Sequence, residues 1–550
     1  MATRELTGRD SGPQAGAPPG ERTSPPVGRR ELVVVAVVVA ALLAIPMLVP
    51  ALRVMYLKPL WLDELHTWLL ARELPGPVLV QRLRDGADFN PPLLFVVDAF
   101  ALRILDDLPP QLALRLTSIV SVGMASLLLY RIFRERLGVL PSVIGAIAPL
   151  AHSTVLVQLR EARFYAPWLA LTVVAAWSMQ RLLDDPSSRG RFLQLTLASA
   201  AVCLIHYFGV ISLACLGIGL AIGVRSPARL LRPAAATALG ALALAAWLPV
   251  YAEQRRVLSV PTWVDAPTLK GSAVFVALYW AWPAFAVIIL AGILWAFKER
   301  RRAAPGMPRP TAAQWAMVGL LALPIIFVAF SYLVQPTMVS RYALPAVLGM
   351  STLVAFAVAR LPRLVQGLAL AAIVAAHGVL LWRQSDRDRS FQRDVNGAVA
   401  ALNAVAGDPR PVIATDRHTL YPAAMSSVNR NGNVAYLVAP TSVVRAQYGP
   451  AEEDMYRFTI LERDMSVTHN AIFGFPALLP RDSVRRMRSF YVLLPDSAET
   501  PGREARLDGF RPCRMQRSLL RYDASPGHRM TARSADEIPL CERLPAPSAG

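Results

Sequence analysis

From residue 31 to residue 383 the chain is a succession of apolar runs separated by short polar breaks. Each run is roughly 20 residues long, the length at which a helix crosses the hydrocarbon core of a bilayer. Eleven spans follow from this pattern, at roughly 31–52, 112–131, 138–157, 164–183, 192–206, 207–224, 233–252, 273–297, 313–334, 341–360 and 362–382. The first thirty residues are rich in Pro, Gly and Arg and read as a disordered cytoplasmic tail. Glu31–Leu52 is too long for a signal-peptide core and reads as a retained anchor. Beyond residue 383 the pattern changes. Short apolar runs such as Pro411–Thr415 and Phe490–Leu494 read as strands, and Asp394–Val405 is amphipathic at helical period. Residues 384–550 are therefore expected to form a small α/β domain.

Loop charge orients the spans. Arg131–Arg136, Arg181 with Arg189 and Arg191, Arg225 with Arg229 and Arg232, Lys298–Arg302, and Arg360 with Arg363 are basic and belong in the cytoplasm. Placing all five on one side requires that Pro91–Leu105, which carries Asp98 and Arg103, does not cross. It reads as a juxtamembrane helix, and residues 53–111 become one large external loop. An odd number of crossings puts the N-terminus in the cytoplasm and the C-terminal region outside the plasma membrane.

Composition agrees with this class. The 550 residues are 54% hydrophobic, with a formal charge of +19 and a mean hydropathy of +0.40. In a membrane chain the positive excess belongs to cytoplasmic loops, so nucleic acid is not the expected partner. Of four cysteines, Cys203 and Cys215 lie in apolar helices as small core residues. Cys513 and Cys541 lie in the C-terminal region, where an oxidising compartment would permit a disulfide. No cysteine pair has zinc-finger spacing.

The polar chemistry collects at the outer ends of the spans. Trp61-Leu62-Asp63-Glu64-Leu65-His66-Thr67-Trp68 follows the first span, with Lys58 before it and Asp88-Phe89-Asn90-Pro91-Pro92-Leu93 after it. Further along come Arg160-Glu161-Ala162-Arg163-Phe164-Tyr165, then His206-Tyr207-Phe208, then Glu253, Arg255, Arg256, Trp263 and Asp265, then Gln335 with Ser340-Arg341-Tyr342. Ionisable groups next to a bilayer are costly and usually functional. Read as a helix, the Asp63 segment carries Trp61, Leu65, Trp68 and Leu69 on one stripe, Asp63 and Thr67 on the opposite side, and Glu64 on the flank. The alternative is an ordinary interfacial helix with solvated acids. Arg163 and Arg341 could grip a lipid phosphate with paired hydrogen bonds, or snorkel to ordinary head groups. Lys58 is open to the same two readings. His206 could orient a sugar or phosphate, or be a hydrogen-bonded structural residue. Histidine spacing supports no metal site; a divalent cation held by Asp63 or Glu64 stays open, since hard cations prefer oxygen.

The motif order resembles the GT-C glycosyltransferases, particularly the family 39 or protein O-mannosyltransferase type and its bacterial relatives. The resemblance rests on Asp63-Glu64 after the first span, Asn90-Pro91-Pro92-Leu93-Leu94, Arg115 opening the second span, Arg160–Tyr165, His206-Tyr207-Phe208-Gly209 and Ser340–Pro345. It covers residues 31–383. It implies a GT-C-like catalytic domain there, and transfer of a sugar from a polyprenyl-phosphate carrier to a glycan, lipid or protein acceptor with inversion. Asp63 would be the catalytic acidic position and Glu64 would position it or hold a cation. Arg163 and Arg341 would neutralise the departing phosphate. Tyr165 and Tyr342 would contact sugar or phosphate; His206, Tyr207 and Lys58 join them as binding candidates from the residue reading above. A transporter or lipid flippase is the competing class, and would show charges within spans and helices interrupted near the midplane. A non-catalytic scaffold is a third, and leaves the Asp63-Glu64 pair without a purpose.

Overall fold

The computed structural model describes residues 27–73, 76–257, 264, 266–300, 309–414, 422–423, 434–438, 477–480, 488–493, 510–516 and 519–525. Expectations for the N-terminal tail up to residue 26, and for Trp263, Asp265, Arg301, Arg302 and Cys541, lie outside these residues.

Helices dominate the first four hundred residues. A long apolar α1 (Arg29–Leu48) leads into α2 (Val54–Leu57), α3 (Leu62–Arg72), α4 (Pro77–Arg84) and α5 (Leu93–Ile104). Then come α6 (Pro110–Arg134), α7 (Val139–Ile147), α8 (Ser153–Leu159), α9 (Tyr165–Asp184), α10 (Arg189–Ile205), α11 (Gly209–Val224) and α12 (Pro227–Val257). The helical part ends with α13 (Leu269–Trp280), α14 (Pro283–Arg300), α15 (Ala312–Gly319), α16 (Leu323–Leu333), α17 (Ala346–Ala359) and α18 (Arg363–Ala404). By length and composition five helical stretches can cross a membrane, or seven if two bent pairs each count once. Each of the eleven expected spans falls on one helix or on two consecutive ones, but α9 and α10 are not among those seven, and α11 and α17 are apolar and short. The count of eleven is therefore carried by loop charge. The segment expected to lie at the interface is α5, a 12-residue helix. It buries Leu94, Phe95, Asp98 and Ala99 and exposes Phe100 and Ile104.

Close packing between helices uses small residues. A Cβ built on Gly319 would stand 2.1 Å from the Cys215 carbonyl, and one on Gly219 would stand 2.2 Å from the Trp315 carbonyl. So α11 and α15 touch backbone to backbone, an approach only glycine permits.

Two helices are broken. The α7–α8 pair bends by 73° and α13–α14 by 64°. The first break follows Pro149, and Pro283 opens α14 after the second; proline lacks the N–H that would continue a helix. The breaks face each other, and side chains from the two breaks and from α18 meet their carbonyls. Trp282 Nε1 donates to Ala151 O at 2.7 Å, His152 Nε2 meets Leu278 O at 3.1 Å, and His377 Nδ1 meets Leu150 O at 2.9 Å.

The last part holds a six-stranded sheet of order β3-β2-β1-β4-β6-β5, built from β1 (Val412–Ala414), β2 (Val434–Val438), β3 (Ala477–Pro480), β4 (Ser489–Leu493), β5 (Phe510–Gln516) and β6 (Leu519–Ala524). The first four strands are parallel, with Val412 in register with both Val434 and Tyr491; β6 runs antiparallel to β4 and closes a hairpin with β5. The runs read as strands in the sequence are β1 and β4. Cys513 is disulfide-bonded, whereas Cys203 and Cys215 are free and buried.

This region is joined to the helical part by continuous structure. α18 is 42 residues long and passes through residue 383 without a break. At 1.5 Å per residue that is about 60 Å, roughly twice the hydrocarbon thickness. Its second half packs Val395, Ala398, Ala401 and Leu402 into one cluster with Leu62 and Leu65 of α3 and Val412 and Tyr491 of the sheet.

Candidate active site

Glu64 and Arg115 form the keystone. Both are wholly buried. Arg115 Nε and Nη2 donate to the two carboxylate oxygens of Glu64 at 2.8 and 2.6 Å. Its remaining protons go to the carbonyls of Tyr56, Lys58 and Pro59. Glu64 also accepts from the backbone N–H of Ala162 at 2.8 Å and of Trp61 at 3.2 Å. Burial by itself would raise the Glu64 carboxyl, but Arg115 outweighs it and holds it below the usual range. The expected flank position for Glu64 is thus corrected: it points inward from the first turn of α3. Its acceptor sites are occupied, which leaves it little capacity for a proton or a cation. Among the described residues, no three His, Cys, Asp or Glu side chains cluster as a metal site.

One residue earlier, Asp63 is only half-buried. Its backbone carbonyl accepts from Arg163 Nη1 at 3.0 Å and Thr67 Oγ1 at 3.1 Å. Its carboxylate makes no hydrogen bond among the described residues, yet it lies in the electrostatic field of Arg163, Arg341, Tyr165 and Tyr342. The contrast with Glu64 is one of satisfaction. A carboxylate that already accepts several charge-assisted bonds is a poor base, and one beside cations but unbonded is available.

Arg163 is more committed than the sequence suggested. The same Nη1 donates to Thr67 Oγ1 and to Asp88 Oδ2, each at 3.0 Å, and the guanidinium lies over the Phe164 ring. Burial would lower its pKa, but the Asp88 and Asp63 carboxylates overcome this and raise it. Arg341 sits on the turn Ser340–Ala343, with its guanidinium 5.7 Å from the Tyr165 ring centre and 5.9 Å from that of Tyr342. That turn is anchored by Tyr279 Oη to Ser340 O and, upstream, by Thr337 N to Ser331 Oγ.

His206 is caged by aromatic rings. It stacks on Trp168 with centroids 4.6 Å apart and meets Phe164, Tyr165, Phe208 and Tyr342. Its Nδ1 accepts the backbone N–H of Phe208 at 3.0 Å, which fixes the neutral tautomer with the proton on Nε2. Tyr207 points elsewhere: its hydroxyl donates to Gln254 Oε1 at 2.7 Å and accepts from Trp247 Nε1. Gln254 in turn donates to Asp88 O, so Tyr207 braces α12 against the Asp88 loop.

Lys58 is also spoken for. Its Nζ donates to Asp388 Oδ1 at 2.9 Å, and Arg160 Nη1 donates to that same oxygen. Burial and the Arg160 charge lower the Lys58 pKa below the usual lysine range. Glu161, between these groups, is a carboxylate with no hydrogen bond among the described residues; burial raises its pKa against the pull of Lys58, Arg160 and Arg341. Asp98 is wholly buried, and burial, opposed by Thr117 and Arg163, pushes its carboxyl up to about 7.

The structure therefore brings Asp63, Arg163, Tyr165, His206, Arg341 and Tyr342 together, with Glu64 beneath them, and places Tyr207 and Lys58 in supporting networks. Sequence reasoning passed over Asp388, Gln384 and Glu161 as site members. The first two lie in a charged stretch after an apolar run, which reads as a solvated face. Glu161 carried a usable signal, an acid between two arginines at a span end.

No protein-family model matches the chain, and no curated protein does. Among solved structures, ArnT from Cupriavidus metallidurans bound to undecaprenyl phosphate matches with a TM-score of 0.55 at 12% identity, over 90% of this chain and 98% of that one. The apo structure of the same protein matches with a TM-score of 0.55 at 12% identity, over 89% and 97%. This likeness establishes that the chain has the fold of ArnT over nearly its whole length.

Proposed function

We propose that the protein is a membrane glycosyltransferase, which moves a sugar from a polyprenyl-phosphate carrier to an acceptor hydroxyl at the extracytoplasmic face, with inversion. The observation that carries this reading is the unbonded Asp63 carboxylate within the field of both Arg163 and Arg341, on the fold of a protein that binds undecaprenyl phosphate. Asp63 accepts the proton of the acceptor hydroxyl as its oxygen bonds to the anomeric carbon. The bond from that carbon to the phosphate oxygen breaks, and the electron pair leaves with the polyprenyl phosphate. Arg341, with Arg163 behind it, offsets the charge that develops there. Glu64 is a positioning residue in this scheme. The family 39 assignment, the choice of sugar and the acceptor go beyond the fold and stand as part of the same proposal, as do the eleven spans and an outer C-terminal domain.

Broken helices favour the transporter reading, which expects them near the midplane. In this chain three carbonyls at the breaks, those of Ala151, Leu278 and Leu150, are met by Trp282, His152 and His377. The glycosyltransferase reading therefore has the stronger support. Asp63→Asn and Asp63→Ala, assayed in membranes supplied with labelled lipid-linked sugar, are expected to lose about 10²–10⁴ of the transfer rate. Full transfer by both variants overturns the base assignment. Substrate movement in proteoliposomes without sugar transfer would establish the transporter instead.

A further inference from the structure

The buried cluster of Lys58, Arg160, Gln384 and Asp388 has no task in the reaction above. Lys58, Arg160 and Asp388 are each less than 7% exposed. Asp388 Oδ1 takes both Lys58 Nζ and Arg160 Nη1, and Arg160 Nη2 donates to Gln384 Oε1 at 3.1 Å. Gln384 and Asp388 are four residues apart on α18 and so share one face. The two cations come from different segments. Lys58 opens the stretch leading to α3, only five residues before Asp63. Arg160 opens the turn that carries Glu161, Ala162 and Arg163.

That turn is held at three points besides Ser118 Oγ, which donates to Glu161 O at 2.7 Å. Arg160 binds α18, Ala162 N donates to Glu64, and Arg163 reaches Asp63 O and Asp88. Remove the first point, and two buried cations face each other with Glu161, and a Glu64 already paired with Arg115, as the acids nearby. Their repulsion would part the segments that carry Asp63 and Arg163. The hydrophobic cluster shared by Leu62, Leu65, Ala162, Val395, Ala398, Val412 and Tyr491 lies along the same contact.

We propose that Asp388 is a positioning residue of the transfer site, which fixes the Asp63 segment against the 160–163 turn by holding Lys58 and Arg160 on one carboxylate. On this view α18 is a strut, and the sheet region packed on its second half is a wall of the site rather than an appended module. The inference rests on the glycosyltransferase reading and deepens it.

The test uses the full chain in native membranes, which supply the acceptor, with a panel of synthetic polyprenyl-phosphate pentoses and hexoses as donors. Release of polyprenyl phosphate is followed for wild type, Asp388→Asn, Asp388→Glu and the double variant Lys58→Met with Asp388→Asn. Misplacing a reacting group by about 1 Å costs on the order of 10²-fold. Asp388→Asn is therefore expected to lose about 10–100-fold in kcat, with the donor KM within about threefold of wild type. Asp388→Glu and the double variant, which removes one of the two cations, are expected to recover a substantial part of that loss. Wild-type kcat in Asp388→Asn overturns the proposal, and so does a loss confined to KM. A loss that neither companion variant recovers, accompanied by a lower melting temperature, reduces Asp388 to a stability role and also overturns it. A wild-type protein that releases nothing from any donor is a separate outcome: it removes the transfer reading, and this inference with it.

Discussion

Adjacent carboxylates at residues 63 and 64 have opposite fates. Glu64 meets Arg115 in a two-pronged ion pair with both side chains fully buried, and two backbone N–H groups complete its shell. Asp63 is half-exposed, and its carboxylate makes no hydrogen bond among the described residues. Removing one partner of a buried ion pair costs about 3–5 kcal/mol, since the other charge is left without compensation. Glu64→Gln is thus expected to lower the melting temperature of the detergent-solubilised protein markedly, whereas Asp63→Asn leaves it near wild type while cutting transfer by about 10²–10⁴. Equal melting temperatures for the two variants would contradict the division of labour between them. The Asp-Glu pair was visible in the sequence as chemistry; which of the two is available was not. The answer depends on Arg115 and Ala162, 51 and 98 residues away.

At the scale of elements, hydrophobic period located the long apolar helices and the strands β1 and β4. What it missed was continuity. Residue 383 looked like the end of a span because charge begins there, yet α18 carries on to Ala404 and docks against α3. Period also says nothing of which helices touch. The α11–α15 contact depends on glycines whose missing side chains give no apolar signal. Gly319→Ala would drive a Cβ against the Cys215 backbone carbonyl, which cannot yield as a side chain could. A clear loss of melting temperature is expected for it. Gly367→Ala on α18, where a Cβ meets nothing within 4 Å, should be neutral or slightly stabilising, since alanine favours helix over glycine by about 1 kcal/mol. Similar melting curves for both would refute the backbone contact.

At the scale of the whole molecule, the proposed orientation rests on five basic loops, and it can be read directly. Cysteines placed at exposed Arg72 and Asp107 should react with a membrane-impermeant thiol reagent added to intact cells, and one at exposed Ser187 should react only after lysis. Labelling of Ser187→Cys from outside would invert the topology and put the Asp63 face in the cytoplasm. The sequence by itself determined that the chain is a many-helix membrane protein with strands at its end, and that its polar motifs gather at one set of helix ends. Those are properties of local period and loop charge, which tertiary contacts do not alter. The tertiary structure decided which of those polar groups are spent on each other. Pairing is a matter of three-dimensional proximity: Lys58 meets Asp388 across 330 residues, and Tyr207, one residue from the caged His206, turns away to Gln254. Such partners carry no local signature, because the free energy that joins them exists only once the intervening helices have packed.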